Sequence, residues 1–280
     1  MSRIKSAHLN NIDTDLIPSE AAPTQMLRAH LRQQRDEINR EDVASWQALQ
    51  SLSDWESFVH PRIEALRHSL GQFPEPPANL NTHITRTVEG DGYYIENVVF
   101  ESRPNLFVSA NLYCPGSPLG RTPGILLVHS HHNPRTQGEL QDMGILWARA
   151  GCLVLVIDQF GYGDRRDHAF APRQDYWFRS VTGHQLHTLG DSLMGWMVWD
   201  IHRGIDLLLA RPGIDPSVMI VMGSVAGGGD PCAVAAALDE RITCAVPFNF
   251  GGPQPETPYP LSEDAANTFD FLGSGGWETT

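Results

Sequence analysis

Four short apolar runs, separated by stretches with helical spacing, limit what this chain can fold into more than any other feature. They are GILLVH (124–129), CLVLVID (152–158), SVMIVMG (217–223) and TCAVPFNF (243–250). Each is strand-length and apolar at consecutive positions, the pattern of a strand covered on both faces in a parallel sheet. Between them lie helical stretches at about 137–150, 190–210 and 227–239. In the middle stretch Leu193, Met197, Ile201, Ile205 and Leu208 form one apolar stripe, and Arg211-Pro212-Gly213 stops it. Strands alternating with helices predict an α/β fold, helices on both faces of a mostly parallel sheet.

Upstream of this alternation the pattern differs. YYIENVVF and FVSANLY read as a hairpin joined by ESRPNL (101–106). Residues 1–83 contain two amphipathic helical stretches, the second opened by a Ser53–Glu56 capping pair and closed by Gly71 and a proline-rich run. The reading is an N-terminal helical segment over 1–83 and an α/β domain over 84–280.

Charge and cysteine usage exclude several classes of function. A net charge of −13, with Arg165-Arg166 as the densest basic cluster and acids on both sides of it, argues against a nucleic-acid partner. The N-terminus lacks an apolar core of signal-peptide type, and no run reaches the ~18 residues of a membrane span, which predicts a cytoplasmic protein with no membrane partner. Cys114, Cys152, Cys232 and Cys244 stand singly, so they read as buried free thiols, not a metal or disulfide framework.

In parallel sheets, chemistry gathers where the strands end. After the first apolar run comes HSHHNPRTQ, in which His129, His131 and His132 offer imidazole ligands for a metal, a backbone loop stabilising an oxyanion, or a purely structural loop. The metal pattern is incomplete, because Asn133 and Pro134 stand where further ligands belong. After the second run, Asp158 opens DQFGYGDRRD and reads as an anchor for that loop. After the third, VMGSVAGGGD places Gly223 and Gly227 at the spacing of a nucleophile turn, but the residue midway between them is Val225. Valine cannot attack a carbonyl and disfavours positive φ. Ser224 is the one hydroxyl in the turn, either an offset nucleophile or a helix-start hydroxyl.

Taken in order, HSHHN, DQFGYGDRR, the GW…WD…R helix, the glycine-rich turn and AALDERI resemble the α/β-hydrolases, in particular their acetyl xylan esterase-like branch, over about residues 84–260. The resemblance implies an α/β-hydrolase-like three-layer sandwich. It also implies a carboxylic ester hydrolase with a Ser-His-acid triad and an oxyanion hole, no cofactor, and a small ester or acylated sugar as substrate. Ser224 is then the candidate nucleophile, Val225 the residue at the elbow position, and His131 and His132 the residues of the oxyanion loop. Two departures favour the alternative of a non-catalytic small-molecule-binding relative: Val225 at the elbow, and the absence of any histidine after His202. The lack of a strand pattern after Phe250 raises the expectation that these residues are the front of a longer hydrolase, without the last strands.

Overall fold

The computed structural model describes residues 26–76, 79–117, 120–129, 134–169, 171 and 174–248. Contacts divide the chain into two compact units. The first contains helix α1 (Met26–Gln47), which leaves Leu27, Leu31, Ile38 and Trp46 exposed. The second contains helix α2 (Leu52–Ser69) and all the elements that follow.

Among the described residues of the second unit, seven strands form one sheet in the order β1-β2-β3-β5-β4-β6-β7. β1 (His83–Gly90), β2 (Tyr93–Arg103) and β3 (Leu106–Pro115) run as an antiparallel meander, and β3 pairs antiparallel with β5 (Leu153–Ile157). From β5 onward the sheet is parallel: β5 beside β4 (Thr122–Val128), β4 beside β6 (Ile214–Ser224), and β6 beside β7 (Cys244–Phe248). The four apolar runs are thus parallel neighbours, and all four carboxyl ends lie along one rim.

Alternation along the central strands explains the layers. Leu126, Val128, Leu155 and Ile157 face one side, where they join α5 (Leu193–Leu209) and α6 (Val225–Leu238) in the larger core. Ile125, Leu127, Val154 and Val156 face the other side, packed with Ala148, Leu140 and Met143 of α3 (Gly138–Arg149). Both faces of β4 and β5 are covered, hence the unbroken apolar runs. The predicted stripe of α5 is buried throughout, but so is most of the rest of that helix, which is enclosed on nearly every side. Ser192 caps it by accepting from the Gly195 N–H at 2.9 Å, and its own hydroxyl donates to the Leu70 carbonyl at 3.1 Å. Gly195 has no alternative, since a Cβ there would fall 2.1 Å from that carbonyl oxygen.

The structure corrects the sequence reading in several places. β1 was not anticipated, because all eight of its residues are exposed and it shows no apolar face. Nor was α4 (Gln174–Thr188), whose apolar residues have little helical periodicity. α2 begins at Leu52, ahead of the serine expected to cap it. Of the last apolar run, Cys244–Phe248 form a strand, and residues 249–250 lie outside the described residues. Three thiols are buried as expected, but Cys244 is exposed, and all four are free. Among the described residues no helix is long and apolar enough to cross a membrane.

Candidate active site

Register builds the site. Val128 pairs with Ile157 on one side and Gly223 on the other, and Ser224 pairs with Phe248. The residues one step further along the chain, His129, Asp158 and Ser224, therefore share the carboxyl rim of the parallel strands.

Ser224 ends β6 and is the N-cap residue of α6, with φ −135° and ψ 147°. Val225 is the first residue of that helix. Ser224 is therefore in ordinary extended backbone and not in the left-handed conformation expected of a strained turn. Its hydroxyl makes no capping bond to the helix, although serine usually caps this way. The first N–H groups of α6 lack carbonyl partners within the helix and carry the positive end of its dipole, so negative charge developing beside Ser224 would be favoured.

The glycines make this junction tight. A Cβ on Gly223 would fall 2.1 Å from the Gly228 carbonyl oxygen, and one on Gly228 would fall 2.6 Å from the Val128 carbonyl oxygen. Strand β6, the first turn of α6 and the end of β4 touch backbone to backbone. The sequence pattern pointed to Gly223, and the structure adds Gly228 as a second position where a side chain would meet backbone.

His129 is almost fully buried. Its Nε2 accepts a hydrogen bond from the Gln159 backbone N–H at 2.9 Å, so that nitrogen is unprotonated and occupied. Its ring meets Tyr162 edge-on at 5.1 Å. The Gln159 side chain donates to the carbonyls of both His129 and Gly227. His129 thus joins the ends of β4 and β5, and Gln159 joins both to α6. His131 and His132, expected in the loop after β4, lie outside the described residues. Among the described residues no cluster of metal-ligating side chains occurs.

Asp158 is the anchor the sequence suggested. It is fully buried and accepts from the Arg135 guanidinium, from the Arg135 backbone N–H at 3.0 Å and from the Ser109 hydroxyl at 2.8 Å. Arg135 also reaches Asn111 Oδ1 at 3.1 Å and Asp164 at 2.5 Å. One buried cation therefore gathers β3, the segment after β4 and the loop after β5. A second buried pair, Arg165 with Asp200 at 2.6 Å, ties that loop to α5. Sequence reasoning missed Arg135 and Gln159. Arg135 follows the histidine-rich loop and Gln159 follows Asp158, but neither matches a motif, and the burial that gives them their roles is a tertiary property.

Beside Ser224 lies a cavity of about 410 Å³, lined by the ends of β4 and β6, by Gln137, Glu139, Leu140, Asp142 and Met143 at the start of α3, and by Phe248 of β7. Its volume suits a small organic ligand.

No protein-family model matches the chain. Among solved structures it is similar to a provisionally named acetyl xylan esterase from Bacteroides fragilis (TM-score 0.59, 17% identity, covering 69% of this chain and 53% of that one). It is also similar to a methylesterase (TM-score 0.57, 18% identity, 88% and 53%). The protein has the α/β-hydrolase fold. A curated relative, the provisionally named hydrolase YtaP of Bacillus subtilis (strain 168), is 25% identical over 197 residues, 66% of this chain and 62% of its own length. The chain thus spans less than two thirds of that relative and about half of the two solved structures.

Proposed function

We propose that this chain is a carboxylic ester hydrolase whose nucleophile is Ser224 and whose substrate is a small ester or acylated sugar. The observation that carries the reading is the position of Ser224. It ends a central parallel strand, starts a helix whose N–H groups lack intrahelical partners, borders a ligand-sized cavity, and does not use its hydroxyl as a cap. The named activities of the similar proteins, acetyl xylan esterase and hydrolase, support the class of reaction.

In this reading Ser224 Oγ attacks the ester carbonyl carbon while His131 or His132 accepts its proton. The resulting oxyanion is held by N–H groups at the start of α6 and in the loop after His129. Collapse of the intermediate expels the alcohol, which takes up the proton. A water molecule, deprotonated by the same imidazole, then releases the acid and restores Ser224. No cofactor enters these steps. Four free cysteines support a reducing, cytoplasmic setting.

The extended backbone at Ser224, with Val225 behind it, favours a second reading: a non-catalytic relative that binds a small ester, acid or sugar in the same cavity. Turnover of p-nitrophenyl acetate, together with covalent labelling by a serine-directed phosphonate, separates the two. The hydrolase reading expects both with the native chain and background levels in Ser224→Ala. Turnover that survives Ser224→Ala undiminished would move the activity to another residue. Binding without turnover or labelling would establish the second reading.

A further inference from the structure

Arg179, in the first half of α4, is a buried charge without a counter-charge among the described residues. Its side chain is 0% exposed. Its Nε has no acceptor, one terminal nitrogen is 3.4 Å from Gln159 Oε1, and the other touches Met197 Sδ at 2.7 Å. The guanidinium lies over the Tyr162 ring, 5.1 Å from its centre, and the Tyr162 hydroxyl is also buried without a partner. A long bond to a neutral amide, a thioether and a π face do not replace a carboxylate, and buried guanidinium groups are otherwise almost always paired. Two buried arginines nearby follow that rule: Arg135 pairs with Asp158 and Arg165 with Asp200.

We propose that Arg179 and Tyr162 form a binding site for a small carboxylate anion, under the loop that follows β5. The two unsatisfied donors, a guanidinium N–H and a phenol O–H in one buried cluster, offer one hydrogen bond to each oxygen of a planar carboxylate. A single negative charge neutralises the single positive one. A tetrahedral dianion would bring surplus charge and more acceptors than the described donors satisfy. The site is coupled to the catalytic rim, since Gln159, which accepts from Arg179, also donates to the carbonyls of His129 and Gly227. Entry requires α4 to shift. That helix packs on α5 and, through Phe178, on Phe160 and His168 of the loop after β5, and presents Trp177 and Val181 to solvent. The proposal stands on the unpaired charge and needs no assumption about ester hydrolysis.

The test compares thermal melts of the full chain and of Arg179→Met and Arg179→Lys in buffer with sodium acetate, sodium sulfate or sodium chloride at equal ionic strength. Acetate should raise the native melting temperature in a saturable way, sulfate and chloride should not, and the effect should vanish in Arg179→Met. Without acetate, Arg179→Met should melt above the native protein, because an apolar isostere removes an uncompensated buried charge. Arg179→Lys keeps the charge but loses the fork and should respond weakly. A native protein indifferent to acetate, equal shifts by sulfate, or an undiminished shift in Arg179→Met would overturn the proposal. Should Arg179→Met melt far below the native protein instead, Arg179 is a structural cation already satisfied in place, and the proposal fails. These readouts are independent of catalysis, so a failed esterase assay leaves them intact.

Discussion

Gly223→Ala tests how the fold delivers Ser224. The added Cβ would sit 2.1 Å from the Gly228 carbonyl oxygen, more than 1 Å short of ordinary contact, which begins at 3.4 Å. Neither side can yield by rotating a side chain. Gly223 belongs to a strand paired on both edges, and Gly228 is itself wedged against the Val128 carbonyl. Relief therefore requires α6 to lift from β6 as a body, loosening the packing of Cys232 and Ala235 in the larger core. Overpacking that side chains can absorb costs about 1–3 kcal/mol; with backbone on both sides the upper figure, about 3 kcal/mol, applies. For a domain of this size that corresponds to a fall in melting temperature of about 6–12 °C. Under the proposed hydrolase reading, a displacement of Ser224 by ~1 Å would also lower turnover about 100-fold. Gly138→Ala is the control: nothing lies within 4 Å of the place its methyl group would take at the start of α3, so the change should be neutral or raise stability by about 0.4–1 kcal/mol. Calorimetry of the three proteins decides the matter. A Gly223→Ala protein melting within about 2 °C of the native one, well under the fall expected from the steric clash, would show that the strand–helix junction is not locked.

Three further outcomes are expected. Asp158→Asn should destabilise by about 3 kcal/mol in chemical denaturation, because it strips Arg135 of its buried partner; in a double-mutant cycle with Arg135→Met the losses should be far from additive. A thiol reagent at mildly alkaline pH should find one fast-reacting cysteine in the folded protein, Cys244, and four after unfolding, since burial pushes Cys114 and Cys232 up to about 11 and raises Cys152. Burial lowers the pKa of His202, whose ring hydrogen-bonds the Ala235 carbonyl. Its unfolded form takes up a proton before the folded form does, so this group's share of stability is present above pH 6.5 and lost as pH falls below it. The stability difference between native and His202→Gln proteins should shift in favour of the variant over that range, and a pH-independent difference would contradict it.

The central architecture is legible in the sequence because local pattern and burial coincide there. The runs ending at Val128 and Ile157 are apolar at every step because α3 covers one face and α5 and α6 the other, and that requirement appears directly as composition. The hairpin and the helices around 138, 193 and 225 are visible for the same reason. β1 and α4 are not, because neither presents a continuous apolar face to the core, and pairing with β2 alone defines the first of them. At the site, sequence singled out Ser224, Val225 and Asp158 from their places at strand ends. Only the tertiary structure decided that Ser224 is an extended N-cap residue, that Gly228 is crowded by the end of β4, and that His129 serves as an acceptor between two strands. It alone decided that Arg135 meets a carboxylate while Arg179 meets none among the described residues. Residue type along the chain records which side chains prefer to leave water. Which charge meets which partner depends on distances between segments far apart in sequence, and those exist only once the sheet has closed.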